Sequence, residues 1–418
     1  MKKPPKYSLI VPARNGGDYL KACIETIIIQ EGDYELIISD DNSGDASMQY
    51  LNSLISPKIK VIQPTKFLSM AEHWEWALSH ASGDWLMFIG QDDGLQKYFF
   101  SLADALTNLA MREKLRVIMS RRAYYFWPGC EFFYGDICTS YIADSRIKLC
   151  NSRWEAFKAL VGIQHYFELP QMYTSSLFHR SLIEEARRRQ QDKIFVSHPQ
   201  DANLAAIACS LEATYLKSYI PLGWVGSSPK SAGMAVLANT ANANTEDQDS
   251  LRILKQDYEN KIRSSNIHYD FLAGEFDFGD TSIYFWQALL KSSLLRSSNL
   301  NALIKSKYFI KIIFASVLIK SKFFIKDNKR SKQFDEIIRR NDCKFLHCIL
   351  LTPLILPFYI INRIITYLSG RIFPPNFLCW RIIFRSYWRG VEGITLKEAS
   401  EISNNLASNL LNRVIKLK

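Results

Sequence analysis

Residues Trp85-Leu-Met-Phe-Ile-Gly-Gln-Asp-Asp-Gly94 constrain this chain more than any other stretch. Trp85 to Ile89 is a run of large apolar side chains between Gly83 and Gly90, the pattern of a short strand buried on both faces. Such a strand needs helices above and below it, so the chain is expected to form an α/β layer structure. The run ends in two adjacent carboxylates. Aspartate is poor strand material and costly to bury unpaired, which places Asp92 and Asp93 just past the strand's carboxyl end, where open α/β sheets bind ligands. Paired carboxylates there suit a hard cation, because Mg²⁺ usually takes one or two carboxylates together with substrate phosphates. An Asp-Asp-Gly turn is the plainer reading of the same residues.

The preceding sequence weighs against a mere turn. Tyr7 to Val11 reads as a strand, Pro12-Ala-Arg-Asn-Gly-Gly17 as a loop, and Asp18 as the cap of a helix with Leu20, Ile24, Ile27 and Ile28 on one face. Tyr34 to Ser39 is a second strand, running into Asp40-Asp-Asn-Ser-Gly-Asp45, with a helical face at Met48, Leu51, Leu54 and Ile55. Lys60 to Gln63 is a third strand, followed by a helix from about Ser69 to Ala81 in which Trp74 faces the core. After the Trp85 strand come a helix near Tyr98 to Met111 and a fifth strand, Arg116 to Ser120. Strands and helices alternating at this spacing imply parallel strands whose carboxyl ends share one edge. That edge collects Pro12 to Asn15, Asp40, Asp41, Asp92 and Asp93, and such a collection favours a site. No Gly-x-Gly-x-x-Gly follows the first strand, and Gly226 to Ser231 lacks the glycine before lysine of a phosphate loop, so a bound phosphate would depend on a metal.

Taken in order, the first strand, Pro12-Ala-Arg-Asn15, Asp40-Asp-Asn-Ser43 and Ala81-Ser-Gly-Asp-Trp-Leu-Met-Phe-Ile-Gly-Gln-Asp-Asp93 closely resemble the family 2 glycosyltransferases of the GT-A fold. The resemblance covers about residues 1 to 120. It implies a Rossmann-like, mostly parallel sheet flanked by helices and a nucleotide-diphosphate sugar donor. It also implies that Pro12, Ala13, Arg14, Asn15, Asp41 and Asp92 contact the nucleotide sugar, with Asp93 the direct ligand of Mn²⁺ or Mg²⁺. Gln91 departs from the pattern, standing where many members carry the first Asp of the DxD region. Farther on, Pro170 to Glu185 resembles the strand and helix that close the acceptor side. Phe195 to Leu204 then puts Asp201 near the start of an apolar helix, Leu204 to Leu211, where the family carries its general base. By its position alone Asp201 is equally an ordinary helix N-terminal residue, and His198 is a lesser candidate for the same proton. The family also implies inversion at the anomeric carbon.

Charge separates the two ends of the chain. Residues 291–418 hold 23 Lys+Arg against 7 Asp+Glu, leaving 29 against 34 in residues 1–290. Lys305, Lys307, Lys311, Lys320, Lys322 and Lys326 stud apolar clusters, and Phe345 to Ile361 carries no formal charge but is interrupted by Pro353 and Pro357. Arg371, Arg381, Arg385 and Arg389 then interleave with Phe373, Phe377, Trp380, Phe384, Tyr387 and Trp388, as in an interfacial anchor. Shallow insertion into an anionic membrane surface is expected over spanning, and no nucleic-acid module is recognisable. The expected organisation is a catalytic domain at 1–225, a linker and helical extension at 226–300, and a basic apolar helical region at 301–418 that associates with the cytoplasmic face of the inner membrane. Within it Pro221 to Ser231 reads as a loop closing over the donor or as a linker, Ala238 to Asp249 as a linker, and Tyr284 to Leu290 as a buried helix. Eight cysteines without Cys-x-x-Cys spacing point away from zinc and from a disulfide framework. The implied reaction is sugar transfer to a glycan or lipid-linked acceptor; the rivals are a nucleotidyltransferase and a non-catalytic scaffold or glycan-binding subunit of the same fold.

Overall fold

The computed structural model describes residues 3–66, 68–130, 137–229, 231, 281–320, 338–339, 343–371, 379–385 and 395–415. Its strands, in chain order, are β1 (Tyr7–Ala13), β2 (Tyr34–Asp40), β3 (Ile59–Ile62), β4 (Trp85–Phe88), β5 (Gly94–Leu95), β6 (Val117–Ser120) and β7 (Ala123–Phe126). They continue with β8 (Ile137–Asp144), β9 (Ile147–Asn151), β10 (Ser176–His179), β11 (Thr214–Ser218), β12 (Gly223–Ser227) and β13 (Cys379–Arg385). The larger sheet has eight strands in the order β3-β2-β1-β4-β10-β6-β11-β9, and the smaller has five in the order β13-β8-β7-β12-β5. β1 to β4 pair in parallel, β10 is antiparallel to both β4 and β6, and β11 is parallel to β6. The carboxyl ends of β1, β2, β4, β6 and β11 therefore lie on one rim. This is the mixed α/β, mostly parallel architecture that the resemblance implies.

Side-chain alternation explains the unbroken apolar runs. Leu9 and Val11 of β1 enter a core shared with the helices Gly17–Ile28 and Phe99–Arg112, while Ile10 enters a second core with the helices Met70–Ser79, Arg180–Arg189 and Gln200–Leu211. Both faces of the strand are buried, so neither can be polar. Ser69 and Glu72 form a reciprocal capping box at the start of Met70–Ser79. Asp18 is not the cap of its helix: it lies within the first turn, where the helix dipole favours it.

One carboxylate gathers the amino-terminal edge of the sheet. Glu35 of β2 accepts from Ser8 Oγ of β1 at 2.7 Å, Ser82 N at 2.5 Å, Gly83 N at 3.2 Å and Lys60 Nζ of β3 at 2.5 Å. Four strands thus meet at one acceptor, since Ser82 and Gly83 lead into β4. Burial works to raise the Glu35 pKa, but the bonds from Lys60, Ser8 and Ser82 outweigh it and hold the group below its ordinary value.

The back half departs from the expected three-part division. The predicted buried helix is present as Thr281–Lys291, which packs on Gln200–Leu211 in a third core together with Ser152–Leu160, Ser298–Lys305 and Lys307–Lys320. Phe345–Arg371 is one continuous helix through Pro353 and Pro357, packed along Lys307–Lys320. Trp380 to Arg385, read as part of an interfacial anchor, belong to β13 and pair with β8. The helix Leu396–Ile415 then returns to the first core, where it buries Leu396, Ala399, Leu410 and Val414. Trp224 Nε1 donates to Ser400 Oγ at 2.8 Å, and Ser403 Oγ donates to Gln96 Oε1 at 2.5 Å. Residues 301–418 are therefore not one separate region. Its final helix was misassigned because its apolar positions match a surface elsewhere in the molecule, which charge counting cannot see. Ala238 to Asp249, Lys322, Lys326, Phe373, Phe377, Tyr387, Trp388 and Arg389 lie outside the described residues.

Replacing Glu35 with alanine should cost about 2–3 kcal/mol of unfolding stability in urea at neutral pH, because several buried donors lose a charged acceptor. A group whose folded pKa is depressed stabilises above its unfolded pKa and loses that contribution as pH falls through the folded value. The gap between wild type and Glu35→Ala should therefore narrow below about pH 4, the ordinary glutamate range. A loss under about 0.5 kcal/mol would contradict the four-strand role assigned to this carboxylate.

Candidate active site

The loops after β1 and β2 are laced to each other and to the β4 turn. Asp41 N donates to Ala13 O at 2.9 Å, Asn15 N to Ser43 Oγ at 2.8 Å and Gly44 N to Asn15 Oδ1 at 2.8 Å. Asn15 takes a positive φ of 51°, which asparagine tolerates better than most residues. Arg14 N donates to Gln91 Oε1 at 2.8 Å, and Arg14 Nη1 lies 3.6 Å from Asp41 Oδ2. Gln91, the departure from the expected DxD pattern, thus has a local task in fixing the Arg14 loop. Pro12 is half-buried and Ala13 buried beside them. Asp41 Oδ1 is buried and has no hydrogen-bond partner among the described residues. Such an acceptor is costly to leave unmet, and it marks a place for a ligand that donates.

The two carboxylates after β4 have unequal surroundings. Asp93 is fully buried: Oδ2 accepts from Gly90 N at 2.8 Å and from the Thr174 hydroxyl, while Oδ1 accepts from Gly226 N at 2.6 Å. Burial raises its pKa, against the bonds from Thr174, Gly226, Gly90 and Tyr173. Asp92 accepts from Ser228 N at 3.2 Å and Ser228 Oγ at 2.7 Å, both on Oδ2, and from its own backbone N–H. Burial, and then the adjacent Asp93 charge, push Asp92 up to about 7. Two of the glycines are dictated by this packing. A Cβ on Gly90 would overlap the Tyr173 hydroxyl, and one on Gly226 would overlap the Asp92 carbonyl.

These contacts bear on the expected metal ligand. Both Asp93 oxygens already accept protein donors, so a cation there would have to share them with those hydrogen bonds. Asp92 Oδ1 is the better fit. Among the described residues no group of three or more His, Cys, Asp or Glu side chains could hold a metal ion. One carboxylate oxygen completed by substrate phosphates is nevertheless an ordinary way to bind Mg²⁺.

Asp201 lies in the first turn of Gln200–Leu211. The Tyr166 hydroxyl stands 3.1 Å from both its oxygens, and Ala202 N donates to Oδ1 at 2.8 Å. Burial raises the Asp201 pKa, opposed first by the Arg122 charge and then by the Ala202 and Tyr166 bonds. His198 is 1% exposed and pushed down to about 4 by burial, which makes it a weaker base than an ordinary histidine. Tyr173 links the halves of the site. Besides burial, the charges of Asp93, Asp92 and Asp201 all raise its hydroxyl pKa. Its ring stacks on Trp74 at 5.7 Å, and Trp74 stacks on Phe88 at 4.4 Å, so the expected core role of Trp74 also supports the site.

The sequence offers no role for Tyr166 or Arg122, and places Tyr173, Thr174 and Ser228 only within the longer stretches Pro170 to Glu185 and Pro221 to Ser231. None belongs to a fixed-spacing motif, and each acquires its role only through pairing between distant strands. Gly226 had been weighed as part of a closing loop or linker; it is instead in β12, paired with β7 and, through Trp224 and Gly223, with β5.

Residues 8–124 match the family described as "Glycosyl transferase family 2". A curated relative, the "PGL/p-HBAD biosynthesis glycosyltransferase" of Mycobacterium bovis, is 30% identical over 110 residues, 25% of this chain and 41% of that protein. The chain thus spans about two fifths of the length of that relative. Among solved structures, S. aureus TarS 1-349 in complex with UDP-GlcNAc is similar at 16% identity, covering 81% of this chain and 90% of that one, with a TM-score of 0.41. The mannosyltransferase PcManGT from Pyrobaculum calidifontis, in complex with GDP-Man and Mn²⁺, is similar at 12% identity over 88% and 89% of the two chains, with a TM-score of 0.37.

The unequal settings of the two carboxylates are separable by unfolding measurements. Asp93→Ala should cost about 3 kcal/mol, since it orphans donors from three segments. Asp92→Asn should cost less than about 1 kcal/mol, because an amide keeps an acceptor for Ser228 and relieves repulsion. Equal losses would contradict the distinction.

Proposed function

We propose that the protein, whose residues 8–124 match glycosyl transferase family 2, is an inverting glycosyltransferase that uses a nucleotide-diphosphate sugar to extend a glycan or lipid-linked acceptor. The observation that carries this reading is the meeting of Asp41, Asp92 and Asp201 along one rim from strand and helix ends far apart in sequence. Asp41 touches Arg14, Arg14 touches Gln91 beside Asp92, and Tyr173 feels Asp92 and Asp201 together.

In the proposed reaction the nucleoside rests against residues 12–15 and donates to Asp41 Oδ1. The acceptor hydroxyl oxygen forms a bond to the anomeric carbon as the bond from that carbon to the diphosphate oxygen breaks, and the electron pair leaves with the diphosphate. The acceptor's proton passes to Asp201. A carboxyl whose pKa is raised by burial is a better base near neutrality than an ordinary aspartate. Mn²⁺ or Mg²⁺ on Asp92 Oδ1 would supply countercharge for the departing diphosphate. Tyr166 holds the Asp201 carboxylate, and Gln171 Nε2 donates to Tyr166 O at 3.1 Å, which steadies that support.

The proposed place of action is the cytoplasmic face of a membrane. Leu346, Leu350, Leu354 and Ile361 are between 54% and 66% exposed on the helix Phe345–Arg371, and Lys305 and Lys307 are exposed on the neighbouring helices. Large apolar side chains on a helix near lysines suit shallow insertion among anionic lipids. Among the described residues no helix is long and apolar enough to cross a membrane.

Two measurements test this reading. With purified protein and a panel of nucleotide sugars, Asp201→Asn should lower the rate of nucleoside diphosphate release by at least about 100-fold while donor KM changes little; a fully active variant would remove Asp201 from the reaction. In flotation with vesicles containing anionic lipid, the chain should rise with the vesicles, and Leu350→Glu with Leu354→Glu should stay behind. Equal recovery of both proteins would exclude this face as the attachment surface.

A further inference from the structure

Beyond Asp201 the rim changes sign. Arg121 and Arg122 follow β6, Tyr219 follows β11, and Arg146 and Lys148 lie at the start of β9, the neighbour of β11. Four cations surround the Tyr219 ring: Arg146 at 4.3 Å from its centroid, Arg121 at 4.9 Å, Lys148 at 5.5 Å and Lys217 at 6.0 Å. Arg122 lies 4.7 Å over the adjacent Phe167 ring, and its Nε is buried without a hydrogen-bond partner among the described residues. Three carboxylates oppose these five cations, the third being Asp201 through the Arg122 charge. Asp144 pairs with Arg146 at 2.5 Å and lies 3.9 Å from Arg121, and Glu168 pairs with Lys217 at 3.0 Å. Glu155, the next carboxylate along, is already paired with Lys158 at 2.8 Å.

Two positive charges are left over, and like charges this close repel unless an anion joins them. The aromatic rings hold the cations in place, but a ring carries no net charge and cannot neutralise them. The arginines offer planar donor forks matched to phosphate oxygens, and the lysines add compact charge. The position is also informative. Arg122 acts electrostatically on both Asp201 and Glu168, so the patch adjoins the proposed base on the side away from the Asp41 loop.

We infer that the cations around Tyr219 and Phe167 bind a phosphate group carried by the acceptor, which the chain would recognise by charge as its hydroxyl approaches Asp201. This rests on the glycosyltransferase reading above for the word acceptor, while the anion site itself stands on the geometry. The phosphate could belong to a lipid carrier or to a glycan backbone; both present anionic phosphoryl oxygens to the patch.

The test is a calorimetric titration of the full chain with decyl phosphate, sn-glycerol 3-phosphate and decyl β-glucoside, with and without saturating uridine or guanosine diphosphate. Decyl phosphate should bind whether or not the nucleotide is present, weaken with added salt, and outcompete the uncharged glucoside by at least tenfold. Arg146→Glu with Lys148→Glu should lower that affinity at least tenfold while leaving nucleoside diphosphate binding and the melting temperature in place. Lys148, which forms no ion pair among the described residues, provides a second variant, Lys148→Ala, if the double change does not fold; it should weaken decyl phosphate about threefold. Preference for decyl phosphate over glycerol phosphate identifies a lipid-borne source, and equal binding a glycan-borne one. Loss of decyl phosphate binding when nucleotide is present would assign the anion to the donor site and overturn the inference, as would equal glucoside binding or no effect of the variants. Failure of both nucleotides to bind, with phosphate binding intact, would remove the glycosyltransferase reading but leave the anion site.

Discussion

The candidate site depends on the way Asp93 is held. Its carboxylate draws in a backbone N–H from the β4 turn, a hydroxyl from the segment before β10 and a backbone N–H from β12. Two of those donors, Thr174 and Gly226, lie 81 and 133 residues from Asp93 in the sequence. A fully buried anion needs such a set, because burying a carboxylate without donors costs more than a small domain's net stability can supply. Once it is satisfied, β12 is fastened across the β4 turn, and Asp92, Gln91 and Tyr173 have fixed positions.

The opposite edge of the sheet repeats the device in a different chemical form. Glu35 joins β1, β2, β3 and the entry to β4 where no ligand is expected, and it keeps a lysine as partner. The strands between the two carboxylates are almost wholly apolar. Polar chemistry is thereby confined to the ends of the strands, with a structural role at one end and a ligand-facing role at the other. Along the rim the charge also changes in order: carboxylates at β2 and β4, then the Arg122–Asp201 junction, then the cations beside β11 and β9. That gradient gives the rim two chemically distinct halves.

Much of this was legible before any coordinates. Short apolar runs ending in loop residues, Pro12 to Gly17 after β1, Asp40 to Asp45 after β2 and Gly90 to Gly94 after β4, located these strands to within about two residues, because doubly covered parallel strands leave so little choice of side chain. The gathering of Asp41 and Asp92 on one rim followed from the parallel order alone. The difference between Asp92 and Asp93 did not, since two adjacent identical residues differ only in which distant donors reach them. Tyr166 and Thr174 were hidden for the same reason. The fate of Leu396 to Ile415 was hidden for another: an amphipathic helix shows that it has an apolar face, not what that face meets. Trp224 and Gln96 provide the answer, and neither is distinctive in sequence.

The account stands or falls on a ligand that donates to Asp41 Oδ1 and bridges to Asp92. Thermal unfolding with nucleoside diphosphates, each with and without Mn²⁺, addresses this directly, since a ligand at about 100 times its Kd adds roughly 2.7 kcal/mol to the folded state. The predicted result is stabilisation by at least one nucleoside diphosphate, enhanced by Mn²⁺, with the Mn²⁺ enhancement lost in Asp92→Asn and the whole effect reduced in Asp41→Ala. Stabilisation that survives both substitutions unchanged, or none from any nucleoside diphosphate, would contradict it.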